Sequence, residues 1–127
     1  MSDKQKTIKE LVSIQGVGLH TGKEVTLTFK PAPENHGYKF VRTDLEGQPV
    51  IEALAENVVD TTRGTMLEKN KARVGTIEHT LAALVGLEID NVIIEIDGPE
   101  APIMDGSSRC YVEKISEVGI QKQNEER

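Results

Sequence analysis

The most regular stretch of the chain is the heptapeptide EVTLTFK, residues 24–30. In it Val25, Leu27 and Phe29 alternate strictly with polar or charged side chains. Successive side chains of a strand point to opposite faces, so this alternation predicts a β-strand with one buried and one solvated face. We therefore expect this strand to belong to a sheet that is covered on one face and solvated on the other.

Further strands are predicted on both sides of this heptapeptide. TIKELVSI, residues 7–14, predicts a strand that pairs with it across the glycine-rich stretch QGVGLHTGK. PAPENHG then has the composition of a turn, and YKFVR, residues 38–42, predicts a short strand. Residues 50–59 fit a strand or an irregular segment, whereas TMLEKNKARV, residues 65–74, predicts a hairpin.

Helical spacing begins in GTIEHTLAAL, residues 75–84. Four apolar residues recur at i, i+4, i+7 and i+8 and form one helical stripe: Ile77, Leu81, Leu84 and Val85. Thr76 is placed to cap the start of this helix, and Gly86 is placed to end it in a left-handed turn.

A strand and a second helix follow. NVIIEID, residues 91–97, predicts a strand, and the loop GPEAPIMDGSS leads to a helix that Asp105 or Ser107 would cap and Gly119 would close. The apolar stripe of that helix consists of Tyr111, Val112, Ile115 and Val118. Residues 1–119 are therefore predicted to form one domain, and residues 120–127 a polar linker or tail.

The order of these elements predicts the fold class. Strands come first, and a helix, a strand and a second helix follow, which is typical of an α+β domain. We expect a mostly antiparallel sheet with two helices packed on one face.

Composition excludes several classes of function. The 127 residues carry a net charge of −6 and have no run of Lys and Arg interleaved with aromatics, which argues against a nucleic-acid partner. Apolar runs are too short for a membrane span, and the first residues have no signal-peptide segment, so a cytoplasmic protein is expected. Cys110 is the only cysteine, which excludes an intramolecular disulfide and a cysteine-cluster zinc site.

Glu78 and His79 are the leading candidates for chemistry. His79 lies roughly 160° from Leu81 on a helical wheel and so lies off the apolar stripe. In a first helical turn the dipole favours a neutral imidazole, which can bind zinc, and a carboxylate, which can act as general base on water at the metal. Equally, a first-turn glutamate and a surface histidine can have no catalytic role.

A complete catalytic zinc site needs about three protein ligands. Glu-His is not the HExxH motif, and His20 and His36 stand in a loop and a turn with no ligand cluster around them. The chain is therefore expected to hold only part of a metal site.

Two loops give weaker signals. GVGLHTG, residues 16–22, either connects two strands or brings backbone N–H groups to a ligand, in which case Leu19 and His20 would be exposed on it. Glu100 and Asp105 in PEAPIMDGSS invite a carboxylate interpretation, but Asp before Gly-Ser is more simply a capping turn.

Three stretches in this order resemble one enzyme family: GVGLHTG, TIEHTLAAL with IDN after it, and PEAPIMDGS. The family is the zinc-dependent UDP-3-O-acyl-N-acetylglucosamine deacetylases of lipid A biosynthesis, and the resemblance covers their amino-terminal domain. It implies that His79 is a zinc ligand and that Glu78 is the base that activates water for hydrolysis of the sugar N-acetyl group. Leu19 and His20 would border the active-site entrance and contact the nucleotide-sugar lipid.

The resemblance also implies what this chain lacks. The family has two similar halves, each a sheet with two helices, packed helix to helix around a cleft. The second half supplies a histidine and an aspartate in an HKxxD motif as the other zinc ligands, together with the general-acid histidine. We therefore expect a chain that is inactive alone and that self-associates through an exposed helix face. Within TTRGT, Arg63 and Gly64 depart from the family's usual residues, which leaves local substrate contacts open.

The alternative is a non-catalytic α+β interaction module in which Glu78 and His79 merely occupy a helix start. A downstream segment with HKxxD spacing would discriminate between the two interpretations.

Overall fold

The computed structural model describes residues 4–61 and 64–127. Within these ranges the chain forms ten strands, two α-helices and a 3-10 helix at Ala55–Asn57. The strands are β1 (Lys4–Ile8), β2 (Val12–Val17), β3 (Glu24–Pro31), β4 (Tyr38–Arg42), β5 (Val50–Glu52), β6 (Val58–Thr61), β7 (Gly64–Lys69), β8 (Ala72–Gly75), β9 (Val92–Ile96) and β10 (Ile120–Glu126). The helices are α1 (Glu78–Gly86) and α2 (Arg109–Val118). This composition confirms the predicted α+β class.

The largest sheet has the strand order β2-β3-β9-β4-β5. Its neighbours are antiparallel except β4 and β9, which run parallel. Leu27 lies opposite Ile96, and both Phe29 and Phe40 lie opposite Ile94. Because these side chains are fully buried, the alternation in β3 marks the core face, as predicted.

Both helices contribute to the core on this face. Tyr111 of α2 packs edge-to-face on Phe29 of β3, with ring centroids 6.3 Å apart, and Ile115 is fully buried one helical turn later. Helix α1 contacts α2 and buries Leu84, while Ile77 just before it is also buried. Helix α1 therefore packs on α2 and joins the same hydrophobic core through Leu84, as does the preceding Ile77.

The strands are divided among three sheets, whereas the sequence suggested one. β6, β7 and β8 form a separate antiparallel sheet, and β1 pairs with β10 in a two-stranded sheet. The predicted single strand over residues 7–14 is two strands, of which only β2 pairs with β3. The hairpin predicted within residues 65–74 is confirmed as β7 and β8.

The local structure predicted for residues 120–127 is wrong. Instead of the predicted polar linker or tail, Ile120–Glu126 forms β10, antiparallel to β1, with Ile8 opposite Ile120. The Gln123 side chain donates to the Ala32 carbonyl oxygen at 2.8 Å and accepts a bond from Asn91 at 2.7 Å. Polar side chains thus attach this strand to the rest of the molecule, which is why no apolar pattern marked it.

The predicted limits of α1 also need correction. Thr76 does not cap the helix: the N-cap residue is Ile77, and the Thr76 hydroxyl bonds to Glu100 instead. Gly86 lies inside the helix, and Glu88 rather than Gly86 takes the left-handed backbone conformation, with φ of 60°. Val85, assigned to the apolar stripe, is 64% exposed. Gly119 does end α2 with a positive φ of 86°, as predicted.

Neither α1 nor α2, the α-helices of the described ranges, has the length and apolarity needed to cross a membrane.

Candidate functional site

Glu78 and His79 occupy the first turn of α1, and both side chains are half-buried. The chain reaches this turn from β8, which ends at Gly75, through a residue with unusual backbone geometry. Thr76 has a φ of 55°, a region that β-branched residues rarely adopt. Such strain persists only where surrounding contacts hold it.

The two carboxylate oxygens of Glu78 have different environments. Oε2 accepts the backbone N–H of Thr65 in β7 at 3.1 Å. Oε1 is buried and has no hydrogen-bond partner in the described ranges. A buried acceptor without a partner is costly unless another group satisfies it, so Oε1 is free to accept a proton or a ligand hydrogen bond.

The same contact gives a structural role to the end of the TTRGT stretch. Thr65 orients Glu78 through its backbone N–H, which the sequence could not indicate because backbone donors carry no side-chain signature. Arg63 lies outside the described residues, and Gly64 begins β7 opposite Thr61.

A metal would find only part of a ligand set here. No group of three or more His, Cys, Asp or Glu side chains within residues 4–61 and 64–127 is placed to hold an ion. His79 offers one imidazole and Glu78 one carboxylate oxygen that is unpaired within the described residues, and this donor chemistry suits zinc. Further ligands would have to come from elsewhere.

The glycine-rich loop and the PEAPIMDGS loop pack directly on each other. Gly18 forms an isolated β-bridge with Pro102, and Ile103 N–H donates to the Val17 carbonyl at 3.0 Å. A Cβ atom on Gly18 would lie 2.5 Å from Glu100 Oε1, so this position requires glycine for close approach. Gly16 and Gly18 therefore allow the two loops to pack closely, whereas Gly22 provides a positive φ of 67°.

Glu100 lies where three sequence stretches meet. Its backbone forms a parallel bridge with Gly75, and its side chain is 5% exposed. Oε1 accepts the backbone N–H groups of His20 at 2.9 Å and Thr21 at 3.0 Å. Oε2 accepts from His20 Nδ1 at 2.6 Å and from the Thr76 hydroxyl at 2.5 Å. The carboxylate joins the glycine-rich loop to the segment that leads into α1.

These bonds determine the ionisation of Glu100. Burial raises its pKa, but hydrogen bonds from Thr76, Thr21 and His20 to the charged form outweigh burial and lower the pKa to about 2. Glu100 is therefore a carboxylate throughout the neutral and mildly acidic range.

This shift predicts how stability depends on pH. The folded-state pKa of about 2 lies below the reference value of 4.5, so ionised Glu100 stabilises the fold above pH 4.5 and loses this effect as pH falls towards 2. We expect Glu100→Gln to reduce the free energy of unfolding by a few kcal/mol at about pH 7 and by much less at about pH 2.5. Urea unfolding at both pH values measures the difference. The matched control is Glu113→Gln, which makes the same change at an exposed position on α2.

The sequence drew attention to Glu100 but did not indicate its role. Its stretch was interpreted as a capping turn. Asp105 does accept bonds from the Ser107 N–H and hydroxyl, but neither residue is the N-cap of α2, which is Ser108 without a side-chain cap bond. Glu100 stands in an apolar, proline-rich loop, which suggests burial. Because an acidic side chain is rarely buried without partners, this position could have indicated a hydrogen-bonded carboxylate.

Leu19 and His20 are both on the exposed side of the loop, as expected. Leu19 is 59% exposed, and the His20 side chain is 30% exposed although its ring is bonded to Glu100. Within the described residues, His20 does not join Glu78 and His79 in a metal-binding group.

Comparison with known proteins identifies the family. Residues 5–127 match the family model described as UDP-3-O-acyl N-acetylglycosamine deacetylase. The chain belongs to this deacetylase family. It is 57% identical over 121 residues to the bifunctional enzyme LpxC/FabZ of Bacteroides thetaiotaomicron, covering 95% of this chain and 26% of that protein.

Deacetylases of other bacteria are similarly close. The UDP-3-O-acyl-N-acetylglucosamine deacetylase of Myxococcus xanthus is 53% identical over 119 residues, covering 94% of this chain and 38% of that enzyme. The enzyme of Shewanella halifaxensis is 54% identical over 121 residues, covering 94% of this chain and 40% of that enzyme. The chain thus spans about a quarter to two-fifths of the length of these curated relatives.

Proposed function

We propose that this chain is the amino-terminal part of a zinc-dependent deacetylase that removes the N-acetyl group of UDP-3-O-acyl-N-acetylglucosamine in lipid A biosynthesis. The single observation that carries this proposal is the Glu78 carboxylate, which is held by Thr65 and keeps Oε1 buried and unpaired within the described residues. Family membership supplies the substrate class.

Glu78 is proposed as the general base. The Thr65 N–H fixes Oε2, while Oε1 has no hydrogen-bond partner in the part of the chain that the structure describes and can take a proton from an attacking water. A purely structural glutamate at a helix start would gain nothing from a buried oxygen without a partner. The Glu78 environment therefore favours the enzyme over the alternative of a non-catalytic interaction module.

His79 is proposed as a zinc ligand. It directly follows Glu78 in the first turn of α1, so an imidazole and a carboxylate are presented by the same helical turn. Zinc supplies Lewis acidity, which polarises the amide carbonyl and makes water more acidic. A second domain of the full-length protein would supply the remaining ligands.

Leu19 and His20 are proposed to contact the nucleotide-sugar lipid at the entrance of the site. An exposed leucine beside a histidine offers an apolar contact and a hydrogen bond on one loop. The exposed Val85 on α1 belongs to the surface proposed to pack on the second domain, or on another copy of the chain when the second domain is absent. A nucleotide-sugar substrate would place the enzyme in the cytoplasm.

Acetate release tests this function directly. We expect the full-length protein with zinc to release acetate from UDP-3-O-acyl-N-acetylglucosamine. The 127-residue chain alone is expected to release none, because residues 4–61 and 64–127 contain no complete ligand set. Zinc-loaded full-length protein without deacetylase activity would disprove the proposal.

A further inference from the structure

Both oxygens of Glu100 already have their hydrogen-bond donors. Each oxygen accepts two bonds, so the four acceptor positions of the carboxylate are used. A carboxylate with no free lone pair is a poor base and a poor metal ligand. Glu100 is instead suited to fix the positions of the groups that donate hydrogen bonds to it.

The bond to His20 fixes the protonation of that ring. An ionised carboxylate can only accept, so Nδ1 of His20 must carry the hydrogen of the 2.6 Å bond to Oε2. Nε2 is then the ring nitrogen left for a ligand. The bond to the His20 backbone N–H fixes the residue at a second point, so the ring and its main chain are held together.

The bond to Thr76 extends this arrangement to α1. Thr76 has the strained φ of 55° and lies two residues before Glu78. Its hydroxyl donates to the same oxygen that accepts from His20 Nδ1. One buried carboxylate therefore positions both the exposed histidine of the loop and the turn that begins the helix.

We propose that Glu100 is a positioning residue. It holds the His20 imidazole with hydrogen on Nδ1, so that Nε2 is available to substrate. Through Thr76 it also fixes the position of this ring relative to the first turn of α1. The part concerning substrate rests on the proposed function, whereas the state of the His20 ring does not.

The test uses Glu100→Gln, which preserves shape and removes charge. Its amide oxygen is expected to occupy the Oε1 place, because two backbone N–H groups point there. The amide NH₂ then occupies the Oε2 place and donates to Nδ1, so His20 must move its hydrogen to Nε2. Nitrogen NMR of ¹⁵N-histidine-labelled 127-residue chain, on the alkaline side of the His20 titration, reports which nitrogen is protonated.

We expect protonated Nδ1 in the wild-type chain and protonated Nε2 in Glu100→Gln. In the full-length protein, the same substitution is expected to lower kcat/KM at least about tenfold with zinc content unchanged. Glu113→Gln should leave the His20 spectrum and kcat/KM unchanged, since Glu113 is an exposed residue that pairs with Arg109 on the same helix.

An unprotonated Nδ1 in wild type overturns the proposal, and this measurement stands even if Glu100→Gln fails to fold. An unchanged tautomer or an unchanged kcat/KM in a folded Glu100→Gln protein also overturns it. If the wild-type full-length protein shows no deacetylase activity, the proposed function fails, while the NMR result still decides how Glu100 holds His20.

Discussion

Glu78→Gln in the full-length protein is expected to lower kcat for acetate release by about 10²-fold to 10⁴-fold, the usual contribution of a general base. Glutamine preserves an oxygen that can accept the Thr65 N–H, so the first turn of α1 should remain in place. It removes the basic oxygen that is buried without a partner in the described ranges. The measurement is the steady-state rate of acetate release at saturating substrate.

Two controls separate lost chemistry from lost structure. Glu78→Gln should keep its zinc content and thermal unfolding midpoint, because the amide is isosteric with the carboxylate. Glu113→Gln makes the same chemical change on the exposed face of α2 and should retain full activity. A Glu78→Gln enzyme within about threefold of wild type would show that Glu78 is not the base.

His79→Ala is expected to remove zinc from the full-length protein. A catalytic zinc site has about three protein ligands. Loss of a residue that only hydrogen-bonds to a ligand weakens zinc affinity by up to roughly 100-fold, so loss of a ligand itself should weaken it by more. Zinc content after dialysis against a buffered chelator measures this loss, and activity should fall with it.

His36→Ala is the matched histidine control. His36 lies in the connection between β3 and β4, where its ring bonds to the Gly37 carbonyl oxygen at 2.9 Å. The His36→Ala enzyme should retain zinc and activity. Full zinc occupancy in folded His79→Ala protein would contradict the ligand role of His79.

Elements with local periodicity were predictable from sequence. In β3 and β9 the alternation of apolar residues coincides with the buried positions, because one face of the large sheet meets the helices. β10 was missed since Gln123 and its neighbours attach through polar bonds to distant segments, such as that to Ala32. Thr76 has a good capping side chain, yet its hydroxyl bonds to a carboxylate 24 residues further along the chain.

The candidate site was predictable only where its residues are adjacent in sequence. Glu78 and His79 share one helical turn, so their position off the core stripe was visible. Thr65 and Glu100 act from other segments that only the fold brings close, and Thr65 does so through its backbone. Glu100 is recognisable as a positioning residue only when its partners from two other stretches are in place.

The central claim is that Glu78 and His79 form one wall of a zinc site. Anomalous diffraction at the zinc edge from crystals of the full-length protein tests it most directly. We expect a zinc peak about 2.0–2.1 Å from a ring nitrogen of His79, with Glu78 Oε1 facing the non-protein ligand position. A zinc peak bound by other residues, with His79 turned away from it, would contradict the account.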